Sequence, residues 1–151
     1  MARKDNTSTV KIKELVSDSE FNAIYPLIEQ LNPGLTRKQF SERLADMRDS
    51  GRYRAIGAYR GKKLVGVCGL WVFNRFWCGR FMEIDNLVVD QSQRNAGIGK
   101  LMTDWVERAA KHEKCNIVFA ASYSHNHASH RFYFREKYII KGFAFVKDIP
   151  P

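Results

Sequence analysis

A chain of 151 residues that is 44% hydrophobic and 13% aromatic can bury one sizeable core and is too short for two ordinary domains. Its 25 Lys and Arg against 16 Asp and Glu leave a net charge of +9, which favours a polyanionic partner: nucleic acid, an anionic membrane surface or a phosphate-rich cofactor. The basic residues form no run longer than a pair such as Lys62-Lys63, which disfavours nucleic acid, and the longest uncharged apolar run, Leu64 to Phe73, is about half of the roughly 20 residues that cross a bilayer.

Met1 to Thr9 has no apolar stretch behind its basic residues, which predicts no secretory leader and a cytoplasmic address. Cys68, Cys78 and Cys115 are odd in number, widely spaced and outside any CxxC pattern, so reduced core thiols are expected instead of a disulfide scaffold or a zinc knuckle.

Val10 to Leu15 alternates weakly as a first strand. Ser17 with Glu20 reads as a capping box for a helix with Phe21, Ile24, Tyr25, Ile28 and Leu31 on one face. Asn32-Pro33-Gly34 breaks it, and Thr36 with Gln39 forms a second box ahead of Phe40, Leu44 and Met47. Tyr53 to Tyr59, a turn at Arg60-Gly61-Lys62, Leu64 to Phe73 and Phe81 to Val89 read as an antiparallel meander. A helix opens at Gly97 with an expected inward stripe of Ile98, Leu101, Met102, Trp105 and Ala109, and with Glu107 and Lys111 paired outside. Ile117 to Ala121 is a continuous apolar run, expected to be covered on both faces. Asn126 to Lys137 has helical character, and Ile139 to Val146 alternates as a last strand. No repeat or linker intervenes, so one domain over residues 1–151 is expected. Its fold class is α/β of the α+β type: a mixed central sheet, with an antiparallel N-terminal meander and a parallel central strand pair, flanked by helices.

Between Val89 and the helix lies Gln93-Arg94-Asn95-Ala96-Gly97-Ile98-Gly99-Lys100. The first turn of a helix leaves N–H groups unpartnered, and glycines let a phosphate oxygen approach them. Arg94 and Lys100 add charge to the positive end of the helix dipole. A Walker loop is excluded by Arg94 and Leu101, and the dinucleotide fingerprint by Met102 where its third glycine belongs.

With these residues in view, Arg94-Asn95-Ala96-Gly97-Ile98-Gly99 resembles the Q/R-x-x-G-x-G/A signature of the GNAT superfamily of N-acetyltransferases. Asn126-His127-Ala128-Ser129-His130-Arg131-Phe132-Tyr133 is similar to that family's segment after its fifth strand. Together the matches cover residues 81 to 147. Asn95 departs from a frequent glycine, as does Lys137 before Tyr138; a left-handed backbone is easier for Asn than for Lys. The resemblance implies acetyl transfer from acetyl-CoA to a primary amine, on a small molecule or a peptide, by direct attack in a ternary complex. It implies that Arg94, Asn95, Ala96, Gly97, Ile98, Gly99 and Lys100 hold the diphosphate. Backbone N–H groups at Leu87, Val88 and Val89 would hold the pantetheine arm and polarise the thioester carbonyl, with Asn126 beside them. A homodimer is the assembly to test.

An amine attacks only after losing a proton, so a base is needed. Glu83 and Asp85 share a strand face, and Glu83, eleven residues before Arg94, has a spacing similar to that of the base glutamate in the histone-acetylating branch. Pairing of these carboxylates with a neighbour such as Arg80 is the structural alternative. The resemblance puts Tyr133 near the sulfur as proton donor; packing beside Phe132 is its alternative. Asn126 equally suits a helix N-cap. His125, His127 and His130 could bind zinc, but they coincide with the cofactor-side motif, so no metal is expected. Trp71 to Arg80 and Asn32 to Leu35 flank the expected cleft, although Phe73, Phe76 and Trp77 read as core. Two other functions fit the same fold: transfer of a longer acyl group, and a non-catalytic basic binding module.

Overall fold

The computed structural model describes residues 9–151; the leaderless reading of the N-terminus falls on residues 1–8 and lies outside them. The chain divides into a unit ending at Phe119 and a second unit, Ala120–Pro151.

In the first unit, β1 (Val10–Glu14) precedes α1 (Asp18–Asn22), α2 (Tyr25–Leu31) and α3 (Arg37–Asp49). Both capping boxes form. Glu20 N donates to Ser17 Oγ at 3.2 Å while Ser17 N donates to the Glu20 carboxylate at 3.0 Å. Gln39 N donates to Thr36 Oγ1 at 3.2 Å while Thr36 N donates to Gln39 Oε1 at 3.0 Å. The single helix expected after Ser17 is two, and Pro26 is the reason. Proline has no N–H to offer the carbonyl four residues back, yet fits a first turn, where it sits in α2. The orphaned Asn22 carbonyl accepts from Arg37 Nη1 at 3.2 Å instead.

The meander follows as β2 (Tyr53–Arg60), β3 (Lys63–Arg75) and β4 (Gly79–Val89), and a 3-10 turn (Gln91–Gln93) leads to α4 (Ile98–His112) and β5 (Ile117–Ala120). The sheet order is β1-β2-β3-β4-β5, with antiparallel pairs from β1 to β4 and β5 parallel to β4. One face carries Tyr53, Ala55 and Val67 against Phe21, Ile24, Leu27, Phe40 and Leu44 of the first three helices. The other receives α4, whose Met102 Cε would stand 3.1 Å from a Cβ at Gly66.

The inward stripe of α4 is Ile98, Met102, Thr103, Val106 and Ala110: Ile98 and Met102 face inward as expected, and the rest of the stripe lies one residue round from Leu101, Trp105 and Ala109. Leu101 is exposed and Trp105 and Ala109 half-buried, because spacing by four from Ile98 keeps one line along the sheet. The ion pair on its outer side is Lys100 with Asp104, at 2.8 Å. β5 is half-exposed at all four residues instead of covered on both faces, as befits the end strand of the sheet. Among the described residues, no helix is long and apolar enough to cross a membrane.

The second unit contains α5 (His127–Arg135), closed by Lys137 in the left-handed region at φ 66°, with Tyr138 N donating to Tyr133 O at 2.9 Å. Beyond it the strand expected over Ile139 to Val146 is absent. These residues make no ladder and are exposed, since an alternating segment becomes a strand only where another backbone pairs with it.

Candidate active site

The loop before α4 is shaped by short polar contacts. Asp90 Oδ1 accepts from Ser92 N at 2.9 Å and Ser92 Oγ at 2.6 Å, and Asp90 N donates to Val65 O at 2.9 Å. Arg94 Nε donates to Val89 O at 3.4 Å. Asn95 and Gly97 adopt left-handed φ of 62° and 75°, the second as the N-cap of α4, with no side chain capping it. The first intrahelical bond runs from Leu101 N to Gly97 O at 3.1 Å, so the N–H groups of Ile98, Gly99 and Lys100 precede the ladder. Nothing lies within 4 Å of a Cβ built at Gly97; the mouth of the turn is open. Exposed residues 94–97 therefore form a cationic, donor-rich cradle suited to a diphosphate. Ala96 is exposed and Ile98 buried at 1%, so Ile98 contributes backbone to the cradle and its side chain to the core.

The acidic face of β4 is set by register. Trp71 pairs with Glu83 and Gly69 with Asp85, whereas Val67 pairs with Val88, so Asn86 and Leu87 fall between pairs opposite Cys68. This β-bulge takes Asn86 to φ 56° and releases backbone groups from the ladder at Asn86 and Leu87. Val88 and Val89 resume pairing, with Val67 and Gly66.

Glu83 and Asp85 stand on one strand face, as expected, but in different surroundings. Asp85 is committed: Trp71 Nε1 donates to its Oδ2 at 3.0 Å and Asn86 Nδ2 to its Oδ1 at 2.7 Å. Burial, joined by the Asp85 charge and opposed by Arg75, raises the Glu83 carboxyl above the usual carboxylate range. The floor beneath is tight. A Cβ at Gly69 would come 2.7 Å from Asp85 O and 2.8 Å from the Tyr53 hydroxyl, and burial, then the Asp85 charge, pushes that phenol well up. Trp71 stacks on Phe73 at 5.7 Å and tilts against Tyr53 at 5.1 Å. From α2, Asn32 Nδ2 reaches Asn86 Oδ1 at 3.5 Å.

Arg80 does not pair with these carboxylates. Its Nε donates to Glu113 O at 2.9 Å, in a network where Arg54 bridges Glu14 and Glu113. The cation acting on Glu83 is Arg75, whose guanidinium lies over Phe81 and Phe119. Phe76 and Trp77, read as core, are exposed, and Phe73 is half-buried.

In the second unit, Asn126 caps α5, its Oδ1 accepting from Ser129 N at 3.1 Å. Tyr133 is half-buried, with its ring edge-on to Phe132 and Tyr138 at 5.3 and 5.2 Å. His130 Nε2 contacts Tyr123 O at 2.9 Å and His125 stacks on Tyr123. Sequence reasoning missed Asn86 and Tyr53, and saw Trp71 only as a flanking aromatic; an asparagine after two alternating carboxylates is the one local signal for the bulge.

Residues 20–137 match the acetyltransferase (GNAT) family. An uncharacterized N-acetyltransferase of Bacillus subtilis, YhdJ, is 23% identical over 93% of this chain and 99% of its own length. The crystal structure of glucosamine-6-phosphate N-acetyltransferase from Arabidopsis thaliana superposes with a TM-score of 0.72 at 21% identity, covering 94% of this chain and 99% of that one. The structure of AAC(6')-Iy with a bisubstrate analog, CoA-S-monomethyl-acetylneamine, superposes with a TM-score of 0.81 at 13% identity, covering 95% and 99%.

Proposed function

The chain belongs to the acetyltransferase (GNAT) family and is an acetyltransferase, and from that premise we propose that it transfers acetyl from acetyl-CoA to a primary amine by direct attack in a ternary complex, within one N-acetyltransferase domain spanning residues 1–151. The observation that carries this reading is the uncapped start of α4, where Gly97 holds φ 75° and leaves open space beside Arg94. A diphosphate would satisfy the N–H groups of Ile98, Gly99 and Lys100, with Arg94, Asn95 and Ala96 forming the rim. Leu87 N–H at the bulge, with those of Val88 and Val89, is assigned to the pantetheine arm and to the carbonyl on which negative charge develops.

Glu83 serves as the base. A carboxylate raised by burial takes a proton from an ammonium more readily than one already accepting two hydrogen bonds. Asp85, fixed by Trp71 and Asn86, holds the substrate cation against the aromatic ladder. Tyr133 is assigned to protonating the leaving thiolate, and Asn126 to the cofactor arm alongside its cap. Family membership favours this enzyme over a basic binding module. One structural neighbour is named for glucosamine-6-phosphate and another is in complex with CoA-S-monomethyl-acetylneamine, so amino sugars head the acceptor panel, ahead of peptide amines.

Calorimetric titration with acetyl-CoA and CoA, followed by thiol release across the amine panel, tests the proposal. Micromolar binding and turnover with one amine class are expected, and product mass separates acetyl from a longer acyl group. Absence of heat with both nucleotides would sink the cofactor assignment.

A further inference from the structure

The aromatic strip that continues from the acidic face of β4 also carries charge of the opposite sign. Its rings run without a break: Trp71 stacks on Phe73 at 5.7 Å, Phe73 meets Phe81 at 6.0 Å, and Phe81 meets Phe119 at 6.0 Å. Two guanidiniums lie on them. Arg75 covers Phe81 at 4.8 Å and Phe119 at 5.1 Å, and Arg52 approaches Phe73 at 5.9 Å. Both arginines are exposed, and among the described residues neither has a carboxylate within ion-pair distance. Other arginines of this unit are committed, Arg54 and Arg80 to Glu113 and Arg48 to Asp18.

Register sets the spacing. Glu83 pairs with Trp71 and Phe81 with Phe73, so the ring beneath the Arg75 guanidinium lies two residues, roughly 7 Å, along β4 from the Glu83 row. The strip is acidic at Glu83 and Asp85 and cationic at Arg75 and Arg52. A plain amine is attracted by the first end and repelled by the second, whereas an amine that also bears an anion uses both. The planar fork of a guanidinium matches phosphate and carboxylate oxygens.

Building on the acetyl transfer argued above, we propose that Arg75, assisted by Arg52, selects an acceptor whose primary amine lies at Glu83 and whose far end carries an anionic group. The amine and the anion stand about 7 Å apart, joined by a carbon body laid on Trp71 and Phe73.

Calorimetry with three four-carbon amines, aminobutyl phosphate, aminobutanol and diaminobutane, each with its two groups at opposite ends, tests this without turnover. The wild type should bind the phosphate about tenfold or more tighter than the alcohol, the scale of one charge-assisted hydrogen bond, and the diamine most weakly. Arg75→Gln should remove most of that preference. Arg75→Lys, which keeps the charge and loses the fork, should hold part of it, and Arg52→Gln should cost less than Arg75→Gln. Titrations with and without CoA identify phosphate bound at the loop before α4, which CoA would displace and Arg75 would not affect. Equal affinities for the three amines, no binding by any, or a phosphate preference indifferent to Arg75 would each overturn the inference. Failure of acetyl-CoA to bind would instead remove the acetyl transfer, while the order of amine affinities is still read on the protein alone.

Discussion

The loop entering α4 and the acidic face of β4 are neighbours in the chain, yet they are built in opposite ways. The loop works through backbone: N–H groups ahead of the first helical bond, and left-handed turns at Asn95 and Gly97. The face of β4 works through side chains, Glu83 and Asp85, whose difference is set by what Trp71 and Asn86 donate. A backbone site tolerates side-chain change until a substituent fills the mouth or forbids the dihedral. A side-chain site loses its chemistry with one atom while the fold persists.

The largest expected effect is at the loop. Gly97→Glu places a carboxylate in the open mouth and should weaken acetyl-CoA roughly 100-fold or more. Gly97→Ala meets no atom, so its cost is the left-handed dihedral alone, about 1–2 kcal/mol of stability. Equal losses of affinity from the two, by calorimetry, would break the distinction.

Glu83→Gln comes next. Turnover should fall by about 10²–10⁴ while acetyl-CoA affinity holds. If Glu83 is the proposed base, the wild-type rate should climb as pH passes the raised Glu83 value, because a base must be unprotonated, and the Gln enzyme should lose that climb. Stability should move the other way. A carboxyl whose folded value is raised binds its proton more tightly in the native state, so stability declines as pH rises through that value. Gln removes the buried charge, and the thermal midpoint at neutral pH should be equal or higher; a lowered midpoint would refute burial as the cause of the raised value.

Trp71→Phe keeps the ring and deletes the donor to Asp85. The acceptor KM should rise about tenfold, the scale of one hydrogen bond to a charged group, with acetyl-CoA binding untouched. The smallest effect is remote. Glu20 is held at about 2 by its hydrogen bond to Lys13, then by the N–H groups of Val16 and Ser17. Glu20→Gln should slightly lower the thermal midpoint near neutral pH. The stabilisation is present above the unfolded carboxylate value and is lost as pH falls through the folded one, so the gap should close toward pH 2.

What the sequence discloses follows the range of the interactions. Ser17 with Glu20, Thr36 with Gln39, and Gly97 at the helix start span a turn of chain or less, and each is where the letters place it. The left-handed Asn95 and Lys137 are legible from the family pattern they depart from. The bulge at Asn86 is not, because it exists only relative to Cys68 on the neighbouring strand. The Trp71 bond to Asp85 depends on the same register, and Arg80 finds Glu113 across 33 residues of chain. The division of the first helix was readable from Pro26. Leu101 fits the apolar spacing of α4 yet is exposed, because several apolar lines run along that helix and the sheet selects one.

Cys68 lies opposite the bulge, fully buried, with burial holding its thiol far from ionisation, whereas Cys78 and Cys115 are half-buried. A thiol reagent should therefore modify two cysteines promptly and the third only when β3 and β4 part. The third rate is a clock for opening of the sheet under the candidate active site, and a ligand that grips the bulge, as proposed for acetyl-CoA, should slow it in proportion to its occupancy.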